Sequence, residues 1–218
     1  MVGLRATSAS SLAEVAHASM QPVTTDGVDL YWIPLGAGAG GGLVRWSGRL
    51  YESVAAASER RSRQALFHSA LLVRVDGTTA AIEMAPVWTT RAERGVVSEG
   101  PVGVRALGRW RLFRYEVRCW PNGSIPDIAA AVDGPVRVSD DAEAARRVLE
   151  LASQFPMHTW GRDEAKAGEM WNSNSLTAWL LARAGIPTDA LRPPDGGRAP
   201  GWNAGVAIAS RDDGAAGP

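Results

Sequence analysis

Two runs of β-branched and aliphatic residues in the middle of the chain are separated by a short turn signal. Residues 66–75 (LFHSALLVRV) and 79–87 (TAAIEMAPV) flank Asp76 and Gly77. An Asp-Gly pair between two such runs is typical of the tight turn that joins antiparallel strands, because that turn needs residues tolerating a positive φ. The pattern therefore predicts an antiparallel hairpin.

Further strands are predicted on both sides of this hairpin. Residues 28–35 (VDLYWIPL) are β-branched and aromatic, and a run of glycines separates them from a second short strand at 43–46, which again indicates a hairpin. Residues 111–120 (RLFRYEVRCW) alternate between two sets of side chains. This alternation predicts a strand with one core face and one charged face.

Helical segments lie between and after these strands. Residues 50–65 carry helix formers with a charged face and lead into the central hairpin. A second helix is predicted from a cap at Ser139 or Asp140 to about Phe155, where Pro156 ends it. A third covers about 174–184 and is closed by glycine and proline. The predicted fold class is α+β, with an antiparallel sheet packed against a few helices.

The chain is predicted to contain one domain. Its 218 residues are close to the usual length of a single domain with one core. Residues 1–26 show little pattern and are predicted to form a mobile N-terminal arm. The last eight residues, 211–218 (RDDGAAGP), are predicted to be a disordered tail because they lack large apolar side chains. The single domain is therefore expected to span 27–210.

Charge and cysteine content argue against several classes of protein. The 23 basic and 23 acidic residues are mixed along the chain, so no nucleic acid partner is expected. No run approaches the roughly 20 apolar residues of a membrane span, so no transmembrane segment is expected. Cys119 is the only cysteine, and without a recognisable export signal this predicts a cytoplasmic protein. A single lysine among many arginines suggests a GC-rich bacterial genome.

Neither a metal ion nor a cofactor is expected. A zinc site needs several cysteine, histidine or carboxylate ligands, whereas the three histidines and Cys119 have no ligand spacing. The glycines at 36, 38 and 41 match a dinucleotide-binding turn in spacing, but a strand follows them instead of the helix that this turn requires. Cys119 lies on the apolar face of its strand and is expected to be a buried structural thiol.

His68 is the strongest candidate for a general base. It lies inside a strand, on the same alternating set as Ala70 and Leu72, and the next strand of the hairpin offers Glu83. A carboxylate beside an imidazole fixes its tautomer and raises its basicity, as a general base requires. The alternative is a half-buried histidine that is hydrogen-bonded to a carboxylate for stability alone.

A cluster of small polar residues comes directly before the third predicted helix, at 171–175 (WNSNS). A nucleophile here would lie at a helix N-terminus, where free N–H groups stabilise an oxyanion. All four polar residues are also good N-cap residues, and one of them is needed as a cap. The sequence leaves a catalytic and a structural role open.

The order of these parts resembles the circularly permuted papain-like superfamily, which includes lecithin–retinol acyltransferase-like proteins and permuted relatives of the NlpC cell-wall peptidases. The matching pieces are His68 in LFHSALLVRV, Glu83 in AIEMAP, and Asn172-Ser173-x-x-Leu176 entering a helix. The resemblance implies a papain-like fold and a hydrolase or acyltransferase acting on an amide or ester. Its substrate would be a small molecule, a peptide, a peptidoglycan fragment or a lipid acyl group.

The resemblance also implies a role for each residue. Ser173 would replace the nucleophilic cysteine of the family, His68 would be its general base, and Glu83 would orient the imidazole. A serine hydroxyl is almost wholly protonated at neutral pH, so Ser173 would depend strongly on that base. Asn172 and Asn174 would help to polarise a carbonyl group.

The alternative function is a catalytically inactive papain-like module that binds a ligand in the same groove. Trp160, Trp171 and Trp202 could stack on such a ligand. The two functions differ in geometry, because catalysis needs the Ser173 hydroxyl within reach of a His68 nitrogen. A binding groove needs no such contact.

Overall fold

The computed structural model describes residues 25–37, 60, 62–87, 95–125 and 127–215, without the side chains of 212–215. Within these residues an antiparallel sheet of six strands packs against three α-helices, which confirms the α+β class. The strands are β1 (Gly27–Pro34), β2 (Phe67–Val75), β3 (Thr78–Pro86), β4 (Val96–Pro101), β5 (Arg114–Pro121) and β6 (Val136–Ser139). The helices are α1 (Ala142–Leu151), α2 (Ser173–Arg183) and α3 (Trp202–Ala215).

The central hairpin forms as predicted. Strands β2 and β3 pair with Val75 opposite Thr78, and the turn between them places Asp76 at φ 50° and Gly77 at φ 75°. Two successive positive φ values match the twist of the flanking strands, which is why an Asp-Gly turn closes an antiparallel pair tightly. The turn fixes the pairing of the two strands that carry His68 and Glu83.

Strand β1 lies inside the sheet, whose order is β4-β5-β3-β2-β1-β6. In the described part of the chain β1 pairs with β2 and β6, both antiparallel. The strand predicted at 43–46 lies outside the described residues, as do residues 1–24 of the predicted arm and 50–59 of the first predicted helix. Residues 62–65 of that helix are described and are not helical, so its predicted C-terminal end is wrong.

The three helices cover one face of the sheet. Alternate side chains of the strands, such as Leu30, Leu71 and Val117, pack with Leu176 and Leu180 of α2 in the main core. Helix α3 packs on α2 so closely that a side chain at Gly205 would collide with the carbonyl oxygen of Ser175. The core is therefore layered, with the sheet below α1 and α2, and α3 against α2.

The opposite face of the sheet has a smaller apolar cluster. Tyr31, Ile33, Ala70 and Ala81 pack there with Ile125, which follows strand β5. Because side chains alternate along a strand, these residues lie on the other side of the sheet from the helices. Both faces of β1 and β2 are consequently covered.

Strand β5 differs from its prediction in two ways. It begins at Arg114 rather than at 111, because residues 111–113 form a 3₁₀ turn and leave Leu112 and Phe113 exposed. The charged face of the strand is not at the surface, since Glu116 and Arg118 are both buried. The alternation of side chains correctly predicted the strand, but the face that carries Glu116 and Arg118 is buried instead of exposed.

The C-terminal helix α3 was not predicted from the sequence. It runs from Trp202 to Ala215 and therefore enters the predicted disordered tail at 211–218, which begins too early. Arg211 donates hydrogen bonds to the carbonyl oxygens of Ala165 (2.6 Å) and Lys166 (3.1 Å). Residues 216–218 lie outside the described part of the chain.

The N-cap of helix α1 lies one residue after Asp140, the later of its two predicted caps. Asp141 is the N-cap, and its carboxylate accepts from the backbone N–H of Glu143 at 2.9 Å. Neither this helix nor any other in the described residues is long and apolar enough to cross a membrane.

Candidate functional site

The polar residues before α2 form the cap of that helix. Asn172 is the N-cap, and its side-chain oxygen accepts from the backbone N–H groups of Asn174 (2.9 Å) and Ser175 (3.4 Å). In return the Ser175 hydroxyl accepts from the backbone N–H of Asn172 at 3.1 Å. This reciprocal pair is a capping box, which satisfies N–H groups that the helix itself leaves free. The side-chain oxygen of Asn172 is thus used to cap the helix.

Asn174 and Ser175 tie the start of α2 to two other segments. The Asn174 amide donates to the carbonyl oxygens of Phe67 (3.0 Å) in β2 and Pro200 (2.9 Å), and its oxygen accepts from the Ser69 hydroxyl at 2.9 Å. Ser175 donates to the carbonyl of Gly201 at 2.8 Å. All three bonds of Asn174 are buried or partly buried, so this residue is committed to positioning rather than to a substrate.

Ser173 is the first residue of α2 and is buried. Among the described residues its hydroxyl makes no hydrogen bond to another side chain or to the backbone outside the helix. Its position agrees with the prediction of a serine at a helix N-terminus. A nucleophile also needs a base, and that depends on where His68 lies.

His68 lies on the face of the sheet that points away from α2. Its neighbour in β2, Ser69, bonds to Asn174 of that helix, and side chains alternate along a strand. His68 is paired with Ile33 of β1, which belongs to the apolar cluster on the far face. The sheet therefore separates His68 from Ser173, and the predicted contact between them is not formed.

The surroundings of His68 do not suit a general base. Burial lowers the pKa of its imidazole from 6.5 to about 4, and the charge of Asp127 opposes this only in part. At neutral pH the ring is consequently uncharged and resists protonation. A general base works best with a pKa near the operating pH.

Glu83 has a different partner from the one predicted. Its carboxylate accepts from the Arg118 guanidinium at 3.0 Å, and Arg118 also contacts the Glu116 carboxylate at 2.9 Å. All three side chains are buried, with Arg118 only 1% exposed. Glu83 is thus part of a buried ionic triad on the far face of the sheet, and Asp127 is the carboxylate whose charge acts on His68.

The three candidate tryptophans have different environments. Trp171 is buried in the core, stacked on Phe155 at 4.8 Å between ring centroids, and Trp160 packs edge-on against Tyr115 at 5.8 Å. Trp171 is therefore not available as a flat binding platform, whereas Trp160 is half-buried. Trp202 packs against Trp32 at 5.1 Å, and both line an open pocket.

This pocket, here called the Trp202 pocket, has a volume of about 230 Å³. Its walls come from β1, from the turn before α2, from the segment 191–200 and from the start of α3. Charged and polar side chains on its wall are Glu169, Arg192, Arg198 and Asn203. Sequence reasoning named only Trp202 among its residues. Trp32 could have been found as well, because it lies in the aromatic strand predicted at 28–35.

Glu169 fixes one wall of the Trp202 pocket. Its carboxylate accepts from the backbone N–H groups of Gly201 (2.8 Å) and Asn203 (3.3 Å) and from the Asn203 side chain (2.8 Å). A carboxylate at the start of α3 satisfies free N–H groups and the positive end of the helix dipole. The charge of Glu169 is thereby compensated by the helix.

Cys119 lies on the helix side of β5, where it packs against the main core. Burial raises the pKa of its thiol, which makes the thiolate, the reactive form, scarce at neutral pH. Within the described ranges no group of three His, Cys, Asp or Glu side chains could hold a metal ion.

Comparisons of this chain with protein-family models, with curated proteins and with solved structures found no match.

Proposed function

We propose that this chain is a non-catalytic binding domain whose ligand occupies the Trp202 pocket. The observation that carries the proposal is the position of His68, on the opposite side of the sheet from the helix that begins at Ser173. Without a base, a serine hydroxyl at neutral pH is a poor nucleophile. Like the alternative function predicted from the sequence, this is an inactive binding domain, but its ligand lies in the Trp202 pocket instead of a groove shared by His68 and Ser173. The resemblance to the papain-like superfamily stays a prediction.

The charge around the pocket favours an anionic ligand. Arg192 and Arg198 lie on its wall, and the Arg192 side chain is exposed. Among the described residues of the wall, the one carboxylate is Glu169, and it is compensated by the start of α3. Because the charge of Glu169 is compensated, the Arg192 guanidinium gives the pocket a net positive potential. Such a potential attracts carboxylates and phosphates.

The size and floor of the pocket favour a small ligand with an apolar part. Its volume of about 230 Å³ is below the 300–1,000 Å³ of typical drug-sized sites. Trp32 and Trp202 line the pocket and are 2% and 6% exposed, so they offer a ligand a small apolar surface. A small aromatic or aliphatic acid, or an acidic side chain of a peptide, matches these features.

The wall of the pocket is held in place before a ligand arrives. The carbonyl of Pro200 accepts from both Asn172 (2.8 Å) and Asn174 (2.9 Å), and Glu169 bonds to Gly201. The polar cluster before α2 therefore supports the pocket rather than performing chemistry. A preformed site loses less conformational entropy on binding.

Benzoate and phenyl phosphate are expected to bind the Trp202 pocket more tightly than benzamide and benzyl alcohol, neutral molecules of similar size. The measurement is the ¹H–¹⁵N NMR shift of the Trp32 and Trp202 indole groups during titration, with Trp171 and Trp179 as internal references in the core. Arg192→Ala should weaken binding of the anions about tenfold or more, since a hydrogen bond to a charged group is worth about 1.5 kcal/mol or more.

Arg146→Ala, which removes an arginine from α1, is the matched control and should leave binding unchanged. Equal binding of the anionic and neutral probes, or shifts confined to Trp171 and Trp179, would contradict the proposal.

The thiol of Ser173→Cys is expected to react with iodoacetamide at a rate that does not depend on His68. A helix N-terminus can lower a thiol pKa by itself, so the absolute rate does not distinguish the two functions. The decisive comparison is between Ser173→Cys and Ser173→Cys/His68→Gln, both with Cys119→Ser to remove the native thiol. If alkylation of Ser173→Cys is fast and His68→Gln abolishes it, the hydrolase or acyltransferase hypothesis would be favoured again.

A further inference from the structure

The connection between β4 and β5 exposes large apolar side chains. Residues 102–113, here called the arginine loop, present Trp110 (46% exposed), Leu112 (61%), Phe113 (36%) and Val104 (46%). The Trp110 and Phe113 rings pack on each other at 6.4 Å. Isolated exposed apolar residues are normal, but a cluster of this kind marks an interaction surface.

Arginines surround these apolar side chains. Between residues 102 and 114 the sequence has four arginines and no acidic residue, in a chain whose formal charge is zero. The Arg109 guanidinium lies over the Trp110 ring at 4.0 Å. Arg105 and Arg111 keep 78% and 69% of their side chains exposed, and their acidic neighbours, Glu164 and Glu116, are 3.8 and 3.9 Å away.

The arginine loop is anchored at its base. The backbone N–H of Val102 donates to the Phe113 carbonyl at 2.8 Å, and that of Gly103 donates to the Trp160 carbonyl at 2.9 Å. Residues 105–109 and 111–113 form 3₁₀ turns. The apolar side chains are thus exposed although the backbone that carries them is held by hydrogen bonds.

We infer that the arginine loop docks the protein onto the surface of a bilayer that contains anionic phospholipids. Tryptophan and other large apolar side chains are favourable at the boundary between headgroups and acyl chains. Arginines beside them attract anionic headgroups, and their aliphatic stems can lie along the apolar region. This inference is independent of the ligand proposed for the Trp202 pocket.

The form of the surface favours a membrane over other partners. Leu112 is the most exposed of the apolar side chains of the loop, at 61%, so it can insert into the boundary between headgroups and acyl chains. A pocket of about 390 Å³ is lined by Arg105 and Arg114 of this region. Arg114 is bound to Glu99 at 3.1 Å, whereas Arg105 is largely exposed and can meet a headgroup phosphate.

The test is flotation of the full chain with lipid vesicles. One set contains phosphatidylcholine alone, and the other contains two parts phosphatidylcholine to one part phosphatidylserine. The protein is expected to float with the second set and not with the first, and high salt should release it because surface charge is screened.

Two substitutions in the arginine loop probe the charge and the apolar contact separately. Arg109→Glu should weaken vesicle binding about 30-fold, because each charge near the surface is worth about 1 kcal/mol and the change affects two. Leu112→Ser should weaken it about tenfold through lost apolar burial. The matched controls are Arg63→Glu, with the same change of net charge, and Val136→Ser, at the opposite edge of the sheet; both should bind like the unaltered protein.

Several results would overturn the inference. These are equal flotation with both sets of vesicles, flotation that the loop variants do not change, or no flotation at all. A dimer in solution that Leu112→Ser dissociates would instead make the loop an interface between copies of this chain. Binding of a single-stranded oligonucleotide without vesicle binding would assign it to nucleic acid.

Discussion

Replacing Arg118 by methionine is expected to lower the free energy of unfolding by about 3–5 kcal/mol, because it removes the buried cation that the Glu83 and Glu116 carboxylates share. Arg118 bonds to Glu83 and to Glu116, and all three residues are buried. Methionine keeps much of the length of the arginine stem, so lost charge pairing and not a large cavity dominates the effect. Urea denaturation at neutral pH measures it.

The matched control removes all three charges together. Arg118→Met combined with Glu83→Gln and Glu116→Gln should recover most of the lost stability, since neutral groups of similar shape leave no unpaired buried charge. A single variant within about 1 kcal/mol of the unaltered protein would show that the pairing contributes as little as a surface ion pair.

The parts of the fold that were predicted from sequence carry strong local signals. The Asp76-Gly77 turn and its flanking strands are one example, and α2, with its polar cap and Gly185, is another. Strands β4 and β6 and helix α3 were missed. Strand β4 has six residues and β6 has four, which is too short for a clear alternation. The start of α3 was missed because prolines precede it, and its interior was missed because it contains Gly205.

The position of His68 illustrates what a pattern of alternation leaves open. The pattern correctly put His68 and Ala70 on one face of β2, but it did not say which face meets the helices. Ala70, Leu71 and Val73 are all buried, because both sides of this strand are covered. When both faces are apolar, the period of two no longer marks the side of the main core.

The role of the polar cluster was open for a related reason. Asn172, Asn174 and Ser175 have side chains that serve equally well as caps and as donors to a substrate. Only their partners decide between the two, and those partners are Phe67, Ser69 and the turn at 200–201, which are distant in sequence. Hydrogen bonds across about a hundred residues leave no local signal.

Stability is expected to fall as the pH is lowered from 6.5 to 4, through the burial of His68. In the folded protein the pKa of this imidazole is about 4, below its usual 6.5. Between these values the unfolded chain binds a proton that the folded chain does not, so protons favour unfolding. The slope reaches about 1.4 kcal/mol per pH unit, or roughly 3 kcal/mol over the whole window.

His68→Gln isolates this contribution, because glutamine stays neutral across the window. Denaturation at several pH values between 6.5 and 4 should show a shallower loss of stability in this variant than in the unaltered protein. An unchanged slope in His68→Gln, or an NMR titration of His68 near neutral pH, would mean that water reaches the imidazole. The ring would then be able to exchange protons at neutral pH, and a role for His68 as a general base on the far face of the sheet would have to be reconsidered.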